Sequence, residues 1–171
     1  NYHTDESNRF TSSHDGPWVE EYRKFEETHT NPDRLVASLF KDKYFILKKV
    51  NPKELMWGMY WVASDMQNAE TKVSFYDLFK GQELFDLWQC VNYRFYVGNA
   101  NHADGKGIVV ANAKSLLRNI LDSADEAIRK GGIAATLRFG HDGNVIPLVA
   151  LMQIENCNVA VSDPYEVYKV W

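Results

Sequence analysis

The stretch that most constrains the fold runs from residue 112 to residue 154, where one hydrophobic period gives way to another and then returns. Ala113, Leu116, Leu117, Ile120, Leu121, Ala124 and Ile128 recur at the spacing of one helix face, and Gly131-Gly132 stops the pattern. The next seven residues, Ile133-Ala134-Ala135-Thr136-Leu137-Arg138-Phe139, have the length and flanks of a buried strand. Gly140-His141-Asp142-Gly143 reads as a tight turn. Residues 144–154 are apolar at helical spacing again, with Pro147 near the start, where a missing amide is tolerated. Helix, strand, sharp turn, helix is the order of an α/β unit, so the expected fold class is α/β. One strand makes no sheet, and its neighbours are expected outside this chain.

Upstream the pattern is helical. Residues 1–16 are polar, with only Tyr2 and Phe10 to bury, and read as a loop. Trp18, Tyr22 and Phe25 predict a short amphipathic helix opened by Pro17 and broken at Asn31-Pro32. Leu35, Val36, Leu39 and Phe40 predict a second, capped by Asp33 or Asn31. Residues 44–50 suit a strand or a loop. Asn51-Pro52 opens a helix whose inward face would be Leu55, Met59, Val62, Ala63 and Met66. Residues 74–79 and 83–96 follow as helical stretches, the second with Leu84, Leu87, Trp88, Val91 and Phe95 on one stripe and Gly98 as its stop. Residues 99–107 are rich in turn formers and read as an exposed connection.

Composition bears on function mainly by exclusion. A net charge of -4 and a pI near 5.7 give no general basic field, which argues against nucleic-acid or anionic-membrane partners. Phosphate chemistry would therefore need a local cation. No apolar run approaches the roughly 18 residues of a membrane span. Cys90 and Cys157 are too few for a zinc site and read as buried thiols, with one disulfide as the alternative.

At the expected strand end, His141 could donate to a phosphoryl oxygen while the carboxyl of Asp142 protonates a leaving oxygen. The surrounding Leu137-Arg138-Phe139-Gly140-His141-Asp142-Gly143-Asn144 resembles the C-terminal signature of the histidine acid phosphatases, which include phytases and inositol polyphosphate phosphatases. The resemblance implies a phosphoglycerate mutase-like α/β fold, of which this chain would be a mainly helical C-terminal portion with few strands. Residues 1–16 would then be an N-terminal loop, 17–110 the helical cap region and 111–171 the helix-strand-helix return to the core.

The same resemblance implies that His141 binds the phosphoryl group, Asp142 is the proton donor, and Asn144 contacts substrate or caps the following helix. No metal or other cofactor is implied, the substrate is a phosphomonoester such as an inositol phosphate, and the location is periplasmic or extracellular. Gly143 stands where the family usually has threonine, so a hydroxyl is lost there. The family's Arg-His-Gly-x-Arg-x-Pro nucleophile motif does not occur, since no arginine here is directly followed by a histidine. The missing part would be an N-terminal segment of the same protein, and this chain alone is expected to be inactive. Two rivals are a metal-dependent His-Asp phosphohydrolase and a non-catalytic helical interaction module. Arg138 suits either a phosphate contact or a structural salt bridge, His102 with Asp104 reads as a solvated pair, and Trp57 or Trp61 could serve a substrate groove.

Overall fold

The computed structural model describes residues 3–132 and 135–171. Its helices are, in chain order, α1 (Asp5–Thr11), α2 (Val19–His29), α3 (Asp33–Leu39), α4 (Lys43–Leu47), α5 (Pro52–Asp65), α6 (Gly81–Asn99), α7 (Lys114–Lys130), α8 (Asp142–Leu151) and α9 (Pro164–Val170). Short 3-10 turns lie at Met66–Asn68, Tyr76–Leu78, Ala103–Gly105 and Val110–Ala113. No strand forms among the described residues, so the fold is all-helical and the expected α/β class is not what this chain adopts.

The correction centres on residues 133–139. Ile133 and Ala134 lie outside the described residues, while residues 135–139 take no regular structure and leave Leu137 76% and Phe139 93% exposed. A strand exists only by exchanging backbone hydrogen bonds with a neighbour, and among the described residues no strand is present to offer them. Two further readings change for local reasons. The polar start contains α1, because Thr4 Oγ1 accepts from the Ser7 amide and Ser7 Oγ accepts from the Thr4 amide, both at 3.1 Å, which closes a capping box. Residues 44–50 are neither strand nor simple loop, since Asp42 accepts from the Phe45 amide at 3.0 Å and starts α4.

The chain divides into two compact units. In the unit of residues 21–91, Asn51 opens α5 as expected, accepting from the amides of Lys53 and Glu54 at 3.0 and 3.3 Å. The buried face of α5 is Met56, Tyr60 and Ala63, packed with Leu35, Phe79 and Leu87. Ala63 is on the expected face and Met59 packs against the core, but Met56 and Tyr60 take the places expected of Leu55 and Val62, and Val62 is exposed. A helix apolar on nearly every side does not specify its own phase. Both thiols are free, and burial pushes that of Cys90 up to about 12, which makes it unreactive.

Glu83 ties this unit together. Its carboxylate accepts from Arg34 Nε and Nη2, both at 2.6 Å, and from the Lys80 amide at 2.7 Å, while Arg34 Nη2 also donates to the Leu78 carbonyl at 2.7 Å. One carboxylate thus caps α6 and anchors α3.

The other unit comprises residues 1–20 and 92–171. Phe10, Trp18, Tyr93, Tyr96, Val110 and Val167 supply much of its core, and Trp18 Nε1 donates to the Phe10 carbonyl at 2.9 Å. α8 packs on the Val110–Ala113 turn and on α7. Gly131 ends α7 at a φ of 67°, as the double glycine predicts. The helical stripe of α7 is real but poorly covered, with Leu121 53% and Ile128 83% exposed. No helix among the described residues is long and apolar enough to cross a membrane.

Burial works to raise the Glu83 carboxyl, but the Arg34 hydrogen bonds and the Lys80 amide outweigh it and hold the group below the ordinary carboxylate range. A depressed folded value means stability that is present above the unfolded value, about 4.3, and lost as pH falls through the folded one. Glu83→Gln should therefore cost roughly 1–3 kcal/mol at neutral pH and remove this part of the acid sensitivity. Urea denaturation of both forms at neutral and acidic pH measures it, and an unchanged acid loss in the variant would contradict the assignment.

Candidate functional site

The His-Asp pair stands at the N-terminus of α8. His141 is extended, with φ -88° and ψ 167°, and its carbonyl accepts from the Asn144 and Val145 amides at 2.9 and 3.2 Å. Asp142 is the first helical residue, and its Oδ1 accepts from the Gly143 amide at 2.7 Å. That bond satisfies one of the amides a helix start leaves free. His141 and Asp142 are both exposed. The element after the pair is the expected helix, but no strand leads into it.

Pro147 lies deeper in α8 than the first turn, as its sixth residue, so the Gly143 carbonyl lacks the amide that would normally pair with it four residues on. Gly143 itself is closely packed. A Cβ there would come within 3.2 Å of Asn99 Oδ1, and Asn99 is held by its Nδ2 donating to the Phe95 carbonyl at 3.0 Å. The absence of a threonine at this position thus matches the space available, and the close neighbour comes from the end of α6.

A cavity of about 640 Å³ opens beside this turn. Arg138, Gly140, Gly143 and Asn144 line one side of it, and Leu116, Ile120 and Phe139 give it apolar walls. His141 and Asp142 are not in the lining, although Gly140 and Gly143 on either side of them are.

Arg138 is the cation of this cavity. Its Nε and Nη2 donate to Asn119 Oδ1 at 3.2 and 3.0 Å, and Nη2 donates to Ser123 Oγ at 2.8 Å. These partners are neutral and belong to α7, so they orient the guanidinium without cancelling its charge. Among the described residues Arg138 has no carboxylate partner, and its Nη1 is unbonded, so the salt-bridge reading is replaced by a tethered free cation. Asn112 Oδ1 is a buried acceptor in the same lining with no hydrogen-bond partner among the described residues.

Other expected residues fall differently. Asn144 is the third residue of α8 rather than its cap, because the helix starts earlier at Asp142, and it faces the cavity. His102 is not solvated: it is 2% exposed and packed among aromatic rings, while Asp104 lies beside it in the following 3-10 turn. Trp57 is half-buried with its Nε1 unpartnered among the described residues, and Trp61 is 47% exposed and stacked on it at 6.2 Å. Neither belongs to the unit that holds the His-Asp turn. No group of three His, Cys, Asp or Glu side chains able to hold a metal converges among the described residues. Asn99, Asn112 and the Asn119–Ser123 tether carry no motif, and only their positions in space connect them to the turn.

No protein-family model matches the chain, and no curated protein matches it significantly.

The Gly143–Asn99 contact gives a specific test. Gly143→Ala alone should bring no stabilisation, since the gain in helix propensity is opposed by the contact with Asn99 Oδ1. In an Asn99→Ala background the same change should stabilise by about 0.5–1 kcal/mol, the ordinary glycine-to-alanine difference in a helix. Thermal denaturation of the four proteins closes the cycle, and strict additivity would show that the contact has no energetic consequence.

Proposed function

We propose that this chain carries the proton-donor half of a phosphomonoesterase of the histidine acid phosphatase type. In this reading a histidine on a segment outside the chain attacks the phosphorus of the substrate, and the phosphorus–oxygen bond to the alcohol breaks. Asp142 delivers its proton to that departing oxygen, and its carboxylate then takes a proton from the water that cleaves the phosphohistidine. His141 donates to a phosphoryl oxygen, and Arg138 and Asn144 face the same group from the cavity wall.

The observation that carries the reading is that the exposed His141-Asp142 pair stands in the chain between Gly140 and Gly143, which line a cavity whose wall also holds Arg138, a cation tethered by neutral groups alone among the described residues. Phosphoryl transfer needs charge neutralisation beside an acid, and these two groups supply both within five residues. The sequence resemblance around residues 137–144 supplies the family, the phosphomonoester class with inositol phosphates among its members, and an exported location. The nucleophilic histidine and the further arginines belong to a missing N-terminal segment of the same protein, so the chain alone does not turn over.

Asp142→Asn, measured in the chain joined to its nucleophile-bearing segment, separates this chemistry from simple binding. Transfer from an alkyl phosphate should fall by roughly a hundredfold or more, because the alkoxide needs its proton. Transfer from an aryl phosphate with a good leaving group should fall much less. Equal losses for both substrates would remove Asp142 from the role of acid.

A further inference from the structure

We propose that His102 is the centre of an acid-released latch that holds the segment of residues 158–163, the strap that follows α8 and leads into α9, against the end of α6. The hydrogen bonds around the imidazole admit one self-consistent assignment. The Asp104 amide can only donate, and it reaches His102 Nδ1 at 3.3 Å, so Nδ1 is the acceptor and the ring proton is on Nε2. Nε2 lies 3.2 Å from Tyr93 Oη and donates to it, and the Tyr93 hydroxyl passes its own proton to the Ser162 carbonyl at 3.2 Å. Imidazole, phenol and strap carbonyl form one directed chain.

The strap is fixed at the same place by further bonds. Tyr96 Oη donates to the Val159 carbonyl at 2.7 Å and accepts from the Val161 amide at 3.1 Å. Asn101 Nδ2 donates to the Asn158 carbonyl at 2.9 Å, and the Ala103 amide donates to the Val161 carbonyl at 3.0 Å. His102 therefore lies under the turn to which the strap is attached.

A second proton has nowhere to go. Protonated Nδ1 would point an N–H at the Asp104 N–H, and the charge would be buried in a site 2% exposed, ringed by Phe10, Tyr93 and Tyr96. The groups facing the ring are few: the two phenols from α6, uncharged Phe10 from α1, the Ser162 carbonyl from the strap, and Asp104 from its own turn. Burial lowers the imidazole's affinity for a proton, and the opposing pulls of Asp104 and of the Ser162 carbonyl do not offset it. A folded value below the unfolded one means that the released state binds more protons, so the latch weakens as pH falls below about 6.5. Because the strap follows α8, its release frees the downstream end of the helix that presents His141 and Asp142.

Hydrogen exchange on the whole chain, corrected for the intrinsic pH dependence, tests this. Between pH 7.5 and 5.0 the protection of the Ala103 and Val161 amides should fall roughly tenfold or more beyond that of α5 amides. The ceiling is about thirtyfold, set by a released imidazole titrating near 6.5. In His102→Asn, whose side-chain oxygen can still accept from the Asp104 amide, the extra loss should disappear. Should that variant fail to fold, ¹⁵N spectra of the wild-type imidazole decide, with a neutral ring protonated on Nε2 expected to persist at pH 6. An Nδ1-protonated tautomer, a charged ring at pH 6.5, or an equal acid loss in His102→Asn would overturn the proposal.

Discussion

In the unit that carries the His-Asp turn, the segment after α8 is held by polar groups of α6 and the turn that follows it, and the buried phenol of Tyr96 makes the shortest of these bonds. Tyr96 is 1% exposed, and its hydroxyl has a single proton but three backbone neighbours: the Val159 and Asn101 carbonyls at 2.7 and 3.0 Å and the Val161 amide at 3.1 Å. The shorter carbonyl distance is the principal acceptor. A segment without helix or strand has backbone groups that must still find partners once buried, and here side chains of α6 and its following turn provide them. In the core beneath, Tyr93, Tyr96 and Trp18 pack beside valines and Phe10 and also supply the polar atoms that hold backbone groups.

The sequence declares its helices where caps and periods agree. Asn51-Pro52 and Gly131-Gly132 mark their boundaries through chemistry that depends on neighbours in sequence alone. Phase is harder to read: the expected face includes Ala63, which is buried, but α5 is apolar on too many sides for hydropathy to choose Met56 and Tyr60 over Leu55, Met59 and Val62. The run from 133 to 139 shows the deeper limit in its described part, residues 135–139. An apolar run of that length satisfies the composition of a strand, yet a strand is a relation between segments, and the exposed Leu137 and Phe139 show the relation unmet. His102 shows a similar limit, since glycine and asparagine around it signal exposure while the aromatic cage comes from residues 10, 93 and 96.

At the site, the dipeptide was visible in the sequence and its supports were not. A turn that opens a helix displays His141 and Asp142 outward whether or not a strand precedes it, because the first helical residue and its cap have no preceding turn to pack against. What the structure adds is the wall behind them: Asn119 and Ser123 on α7 orient Arg138, and Asn99 closes the space at Gly143. These are neutral side chains whose value lies in geometry, and neutral groups spaced across the sequence leave no pattern to find.

The account rests on the cavity beside α8 accepting a phosphoryl group. An NMR titration of the uniformly ¹⁵N-labelled chain with inorganic phosphate measures that most directly. Progressive, saturating shifts centred on the His141 imidazole, the Gly143 and Asn144 amides and Arg138 Nε are predicted. No saturating shift at these groups, or changes of similar size at lysines spread over the surface, would contradict it.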